Sequence, residues 1–223
     1  MSEQYLLAFD NRPAALGAED FLVADCNREA VHWLDRWPDW PAPALTIHGP
    51  AGSGKTHLLR VFLRRSEAVE IPVAALTRET VPMLLGTRLA AAVDDAERAD
   101  PVALLHLFNV LAERRGHLLL TAGAPPAHWA QVLPDLGSRL VAAPQATLEQ
   151  PDDALLAALL VKLFADRQLK VSEDVVLYCV GRMERSHEKA RRLVAELDRA
   201  GLLTHRSITI PMVRSVLDAL QGT

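Results

Sequence analysis

Gly49-Pro50-Ala51-Gly52-Ser53-Gly54-Lys55-Thr56 fits the pattern G-x-x-x-x-G-K-[ST] without a mismatch, and the reading of this stretch decides the fold. Gly52 and Gly54 let the backbone turn so that successive N–H groups face inward, where they can bind phosphate oxygens. Lys55 adds a point charge near the β- and γ-phosphates, and the Thr56 hydroxyl can ligate Mg²⁺. Gly49 and Ser53 complete the loop, and His57 follows it. Ahead of it Ala44-Leu45-Thr46-Ile47-His48 is a short apolar run suited to a buried strand, and residues 57–65 beyond it read as a helix. That is the strand–loop–helix context a phosphate cradle requires, and it weighs against a mere Gly-rich turn.

The same alternation continues outward. Residues 28–37 carry apolar side chains at helical spacing, with Asn27 placed as the N-cap, and the three tryptophans of this region, Trp33, Trp37 and Trp40, read as packing. A strand is expected over 69–76, a short helix or turn over 77–88, and a buried strand over 89–95 that ends in Asp94-Asp95. Asp94 lies 38 residues after Thr56. A carboxylate at such a strand end can hold the water shell of Mg²⁺, and its neighbour can orient the attacking water. Asp94 takes the first role and Asp95 the second, against the plainer reading that the pair caps the next helix. A helix over 101–115, a strand over 117–122 with Thr121 emerging at its end, and a last strand ending near 148 complete a parallel sheet flanked by helices. Ligands bind at the carboxyl ends of such strands, where Thr56, Asp94 and Thr121 all fall. From residue 152 onward only helices are expected, over 152–167, 172–182, about 184–200 and 211–220. The domain reading is an arm over 1–17, an α/β nucleotide-binding domain over 18–150 and a helical lid over 151–223.

Composition bounds the function. The chain has 223 residues, half of them hydrophobic, a net charge of −4 and a pI near 6.1. Its basic pairs are scattered, so strong direct DNA binding is not expected. Cys26 and Cys179 form no C-x-x-C and read as buried small hydrophobes rather than as a disulfide or zinc site. No apolar stretch reaches the roughly eighteen residues of a spanning helix, and no signal core is present. The expectation is a cytoplasmic soluble protein with no membrane partner. At the N-terminus Gln4-Tyr5-Leu6-Leu7-Ala8-Phe9 combines a glutamine, aliphatic residues and an aromatic. Such a segment can dock into a partner's pockets, although a strand tucked against the body would read the same.

The ordered motifs resemble the AAA+ ATPases, and within them the DnaA family of replication initiators and its shorter Hda-type members. Gly54-Lys55-Thr56-His57-Leu58-Leu59 is similar to the DnaA-type phosphate loop, and Val93-Asp94-Asp95 to the DnaA-type Walker B. Leu119-Leu120-Thr121 with Pro125-Pro126 is similar to the sensor 1 segment. Ser138-Arg139-Leu140 resembles box VII, whose arginine serves in trans as a finger toward a neighbour's nucleotide. Arg185 falls where a sensor 2 arginine is expected, and Phe21-Leu22-Val23 with Asn27 resembles the segment that holds adenine. On residues alone, Arg139 would be a surface ion pair and Arg185 a solvated lid charge.

The chain stops at Thr223, where DnaA continues into a DNA-binding domain, and Gln4, Leu6, Leu7 and Phe9 resemble the peptide by which replication proteins bind the β sliding clamp. Both features resemble the Hda type. The resemblance implies bound ADP or ATP with Mg²⁺, and DnaA and the sliding clamp as partners, with self-association left open. It further implies negative regulation of replication initiation through hydrolysis of DnaA-bound ATP. One departure bears on chemistry: Ala122, Gly123 and Ala124 stand where DnaA carries polar residues, so turnover of the chain's own ATP is in doubt while binding is not. The alternatives are a DnaA-like or helicase-loader ATPase acting on DNA, and, further off, a small-molecule kinase with a helical substrate lid.

Overall fold

Strands buried on both faces read as continuous apolar runs, whereas one-sided strands alternate. Ala90–Val93 is buried throughout, and His117–Ala122 is buried from Leu118 onward. The computed structural model describes residues 22–204 and 207–221, and these divide at residue 150 into two compact units. The Gln4–Phe9 segment lies outside the described residues.

The first unit is built on five parallel strands, β1 (Ala44–His48), β2 (Val69–Glu70), β3 (Ala90–Val93), β4 (His117–Ala122) and β5 (Gln145–Thr147), in the order β2-β3-β4-β1-β5. Register pairs Ile47 with Thr121 and with Ala146. Side chains alternate between the faces with period two. Leu118 and Leu120 pack with helix α4 (Pro101–Glu113), through Leu104, Leu107 and Leu111. Leu119, Leu45 and Ile47 pack on the other face with α1 (Arg28–Asp35) and α2 (Lys55–Ser66), through Leu34, Leu58 and Phe62. Arg65 ties these two helices together by an ion pair to Asp35 at 3.0 Å.

Two local expectations need correction, those for the strand at 69–76 and for the Asn27 cap. The strand expected over 69–76 ends at Glu70, and Val73–Ala75 is a 3₁₀ turn. Pro72 has no N–H to donate to a ladder, and β2 is an edge strand where early termination costs little. Only Val81–Leu85 is α-helical in the segment after it (α3). Asn27 stands at the N-cap position of α1 but makes no cap bond. Its amide instead turns back, donating to the Leu22 carbonyl and accepting from the Ala24 N–H, both at 2.9 Å. The stretch before β5 forms the short helix α5 (Pro126–Trp129) and then α6 (Pro134–Ala142), which carries Arg139.

The second unit is helical: α7 (Asp153–Asp166), α8 (Glu173–Val180), α9 (His187–Thr204) and α10 (Ile210–Gln221). Asp152 caps α7 by accepting from the Leu155 N–H at 2.7 Å. The third lid helix starts at His187 rather than near 184, because Ser186, buried, stands at its start and its hydroxyl accepts from the Lys189 N–H at 3.4 Å. Leu156, Leu160 and Phe164 of α7, Cys179 of α8 and Leu193, Val194 and Leu197 of α9 are buried. Burial pushes the Cys179 thiol up to about 12, so it behaves as a small hydrophobe. Among the described residues no helix is long and apolar enough to cross a membrane.

The tryptophans pack. Trp40 stacks on Phe62 at 5.5 Å and donates its indole N–H to the Trp33 carbonyl at 2.7 Å. His117 stands edge-on to Trp37 and Trp40 at 6.2 and 5.5 Å. Burial holds its imidazole below the usual value of 6.5, against the opposing pull of a hydrogen bond to the Pro38 backbone and of the Asp39 charge. The folded state therefore prefers neutral His117. Below pH 6.5 the unfolded chain binds the extra proton first, so this contribution is lost as pH falls from 6.5 through the folded-state value. Urea unfolding between about pH 7.5 and 5.5 is expected to show a steeper acid loss of stability for wild type than for His117→Gln. Parallel pH profiles would contradict the assignment.

Candidate functional site

The loop begins where the chain can carry no side chain. Gly49 donates its N–H to the Ala122 carbonyl at 3.1 Å, and a Cβ on it would stand 2.0 Å from the Leu148 carbonyl oxygen. Gly52 and Gly54 lie at φ 78° and 108°, in the left-handed region that glycine enters without strain. Gly54 then caps α2, whose first-turn N–H groups have no intrahelical acceptors and carry the positive end of the helix dipole. Lys55 is buried, and its ammonium donates to the carbonyls of Gly49 and Pro50 at 2.8 and 2.9 Å. Ser53 is also buried, and its hydroxyl has no partner among the described residues. A buried cation held only by neutral carbonyls, open N–H groups and an unpaired buried hydroxyl fit a phosphate chain as ligand.

The strand order sets what flanks the loop. β4 lies on one side of β1, with β3 beyond it. Thr56 Oγ1 donates to Asp94 Oδ2 at 2.7 Å, and Thr121 Oγ1 donates to Asp94 Oδ1. Thr121 also accepts from the Asp95 N–H at 3.1 Å. The structure thus brings Thr56, Asp94 and Thr121 together. Asp95 joins them through its backbone alone: it sits at φ 52°, and its carboxylate pairs with Arg98 at 3.7 Å. Among the described residues no group of three or more His, Cys, Asp or Glu gathers as a metal cluster. A Mg²⁺ here would rest on Thr56 and Asp94, with phosphates and water supplying its other ligands.

On the other side of β1, β5 carries the 22–29 segment. Cys26 accepts from the Glu149 N–H at 3.0 Å, and Glu29 accepts from the Thr147 N–H at 3.3 Å. Leu22 and Val23 are half-buried there, and Val23 packs against the α1–α2 core. Both amide atoms of Asn27 are used in shaping this segment. His48, the last residue of β1, is held below the usual imidazole value by burial, with His128 adding to the shift and Glu29 opposing it.

Arg139, on α6, pairs through Nε with Asp135 at 3.1 Å and lies 5.7 Å from the centre of the Phe108 ring. In the lid unit Arg185 pairs with Asp153 at 2.8 Å. Residues 152–217 match the family model described as Hda, lid domain. The chain is similar in structure to domain III of the replication initiation protein DnaA from Thermotoga maritima, with a TM-score of 0.77 and 19% identity over 94% of this chain and 97% of that one.

The lid unit is thus of the Hda type, and the fold is that of the DnaA AAA+ domain. An uncharacterised protein of Haemophilus influenzae is 28% identical over 193 residues, 81% of this chain and 84% of that protein. The AAA+ fold is also similar to that of AMPPCP-bound DnaA from Aquifex aeolicus, with a TM-score of 0.68 and 18% identity over 86% of this chain and 67% of the other.

Three carboxylates of this AAA+ protein were not legible as site residues. Glu29 accepts from the Thr147 N–H at 3.3 Å, Asp153 holds Arg185, and Glu97 accepts from the Gly123 N–H at 2.7 Å. Contacts between residues far apart in sequence leave no spacing signal.

Thr121 is fully buried and bridges Asp94 to the Asp95 backbone. Thr121→Val keeps the shape and removes both bonds, leaving the Asp95 N–H without its acceptor. Urea unfolding is expected to show a loss of about 1–3 kcal/mol, and an unchanged midpoint would mean that the bridge contributes nothing.

Proposed function

We propose that this AAA+ protein is an Hda-type regulator that, with the DNA-loaded β sliding clamp, promotes hydrolysis of ATP bound to DnaA and so limits replication initiation. The observation that carries the reading is the Hda-type lid at residues 152–217 joined to a complete phosphate loop. In it, Gly49, Gly52, Ser53, Gly54, Lys55 and Thr56 hold the phosphates of ADP or ATP, with His57 beside them. Thr56 and Asp94 hold Mg²⁺, Asp94 through water. Leu22, Val23 and the segment shaped by Asn27 flank the base, and Arg185 is the lid's arginine for the same nucleotide. When bound, the nucleotide and its metal supply the charge that orders these residues.

Arg139 acts on DnaA rather than on this chain's own nucleotide. An arginine brought onto the developing charge of a transferring phosphoryl group accelerates hydrolysis by roughly 10³–10⁵-fold in other nucleotide hydrolases. Its pair with Asp135 is partly exposed, with side chains 42% and 54% accessible, and exposed pairs contribute only about 0–1 kcal/mol. Exchange of Asp135 for a phosphoryl oxygen is therefore inexpensive. Gln4, Leu6, Leu7 and Phe9 dock on the clamp, which brings the protein to DnaA on DNA.

The test is hydrolysis of DnaA-bound ATP with loaded clamp and ADP supplied. Wild type is expected to stimulate it. A Gln4/Leu7/Phe9 alanine triple variant is expected to lose stimulation with nucleotide binding intact. Arg139→Ala is expected to lower stimulation by about 100-fold or more while clamp and nucleotide binding persist. No stimulation by wild type, together with salt-dependent DNA binding in the absence of DnaA and clamp, would move the reading to an initiator or loader acting on DNA. In a separate titration Lys55→Ala is expected to weaken ADP binding by about tenfold or more, as loss of a charge-assisted phosphate contact requires; unchanged affinity would remove the loop from the site.

A further inference from the structure

Basic residues scattered along the sequence do not stay apart in the fold. Parallel strands in the order β2-β3-β4 bring the residues that precede them to one edge of the sheet, opposite the Gly49–Thr56 loop. Arg88 precedes β3, and Arg114-Arg115 precede β4. The two approaches touch. The His117 N–H donates to the Leu89 carbonyl at 2.8 Å, and a Cβ at Gly116 would overlap that same oxygen. Arg114 Nη1 reaches back to the Gly86 carbonyl at 2.7 Å, and Arg88 Nη1 donates to the Glu67 carbonyl, just past the end of α2. Arg115 holds the left-handed backbone, at φ 55°, with which the chain turns from α4 toward β4. All three arginines are exposed.

Their charges are not offset as others are. Arg28, Arg65, Arg98 and Arg139 of the same unit each rest on an aspartate. Among the described residues no carboxylate pairs with Arg88, Arg114 or Arg115, although Glu113 precedes Arg114 and the Glu67 backbone holds Arg88. A carbonyl fixes one N–H of a guanidinium and leaves its charge and its other donors for an anion. In a chain of net charge −4 this edge is a local reversal of sign.

We propose that this edge of the sheet is a contact for the sugar–phosphate backbone of duplex DNA, in which Arg88, Arg114 and Arg115 each meet a phosphate. Guanidinium forks fit phosphate oxygens, and backbone contacts require neither a base sequence nor a pocket. The phosphate loop lies at the other end of the strands, on the order of 15–20 Å away, so the two sites do not compete. Three phosphate contacts hold DNA only weakly, and they matter where another tether keeps the protein at DNA. The inference goes beyond the regulator reading and does not depend on it.

The test is fluorescence anisotropy of the full-length chain with a labelled mixed-sequence duplex, in salt rising from about 25 to 200 mM. Wild type is expected to bind at the low end, with log K falling against log salt at a slope of about −3 to −2, as three neutralised phosphates require. Arg88→Ala, Arg114→Ala and Arg115→Gln are each expected to reduce the steepness of that slope by about 1. Arg88→Lys and Arg114→Lys keep the charge and are expected to retain it. Arg115→Gln breaks no side-chain bond of the described residues, so its effect reads charge alone. Arg191→Ala/Arg192→Ala, which removes two charges from α9, is expected to leave the slope unchanged. No binding by wild type at the low end of salt overturns the inference. An equal loss in the α9 variant also overturns it, since the charge acting would then be diffuse. Tighter binding of polyglutamate than of the duplex, lost in the same variants, overturns it in favour of a surface for an acidic protein. Stimulation of DnaA-bound ATP hydrolysis, the readout of the regulator reading, remains a separate result.

Discussion

The whole edge of the sheet depends on one close approach, that of Gly49 to its neighbours on both sides. Its N–H closes onto Ala122 of β4, while the Leu148 N–H closes onto His48 at 2.7 Å from the β5 side. The Leu148 oxygen stands where a Cβ would have to be. Three strand ends are thus drawn together at the point where the chain leaves the sheet. Parallel strands already bring their carboxyl ends to one edge. The glycine junction adds that the loop starts between two fixed flanks, Thr121 with Asp94 on one and the 22–29 segment on the other.

Charges at this edge are held by partners that can be exchanged. Among the described residues Lys55 is a buried cation, and burying a charge is costly unless it is hydrogen-bonded. Two loop carbonyls meet that need without neutralising it, and an anionic oxygen in their place forms a stronger, charge-assisted bond. Arg139 and Arg185 follow the same logic at the surface, each resting on a nearby carboxylate of its own unit. Such exposed pairs contribute at most about 1 kcal/mol, so they hold a side chain in readiness without committing it.

Much of this was legible in the sequence because it rests on local pattern. The loop, the runs at 44–48, 89–95 and 117–122, and the all-helical C-terminal region follow from motif and periodicity. The rest depended on backbone detail or on distant contacts. Pro72 shortens β2 at an edge where the apolar pattern through 76 reads as strand. Asn27 has the residue type of a cap, but the competing local bonds to Leu22 and Ala24 win. Ser186 moves the start of a lid helix by stopping the pattern from within. Glu29 and Glu97 act across the fold, where no spacing rule reaches.

The two adjacent aspartates show how a correct motif can still mislead about roles. Successive side chains of a strand point to opposite faces, so Asp94 and Asp95 cannot both face the loop while the chain stays extended. The left-handed turn at Asp95 directs the carboxylate to Arg98 and leaves only the backbone N–H on Thr121. Asp94 and Thr121 in turn engage each other. On the proposed reading the groups nearest a third phosphate are therefore occupied in holding one another, and the apolar 122–124 segment brings no further side chain to activate water. On the same proposed reading such an edge is suited to retaining a nucleotide, and the arginine that would act on hydrolysis belongs to a neighbour's site.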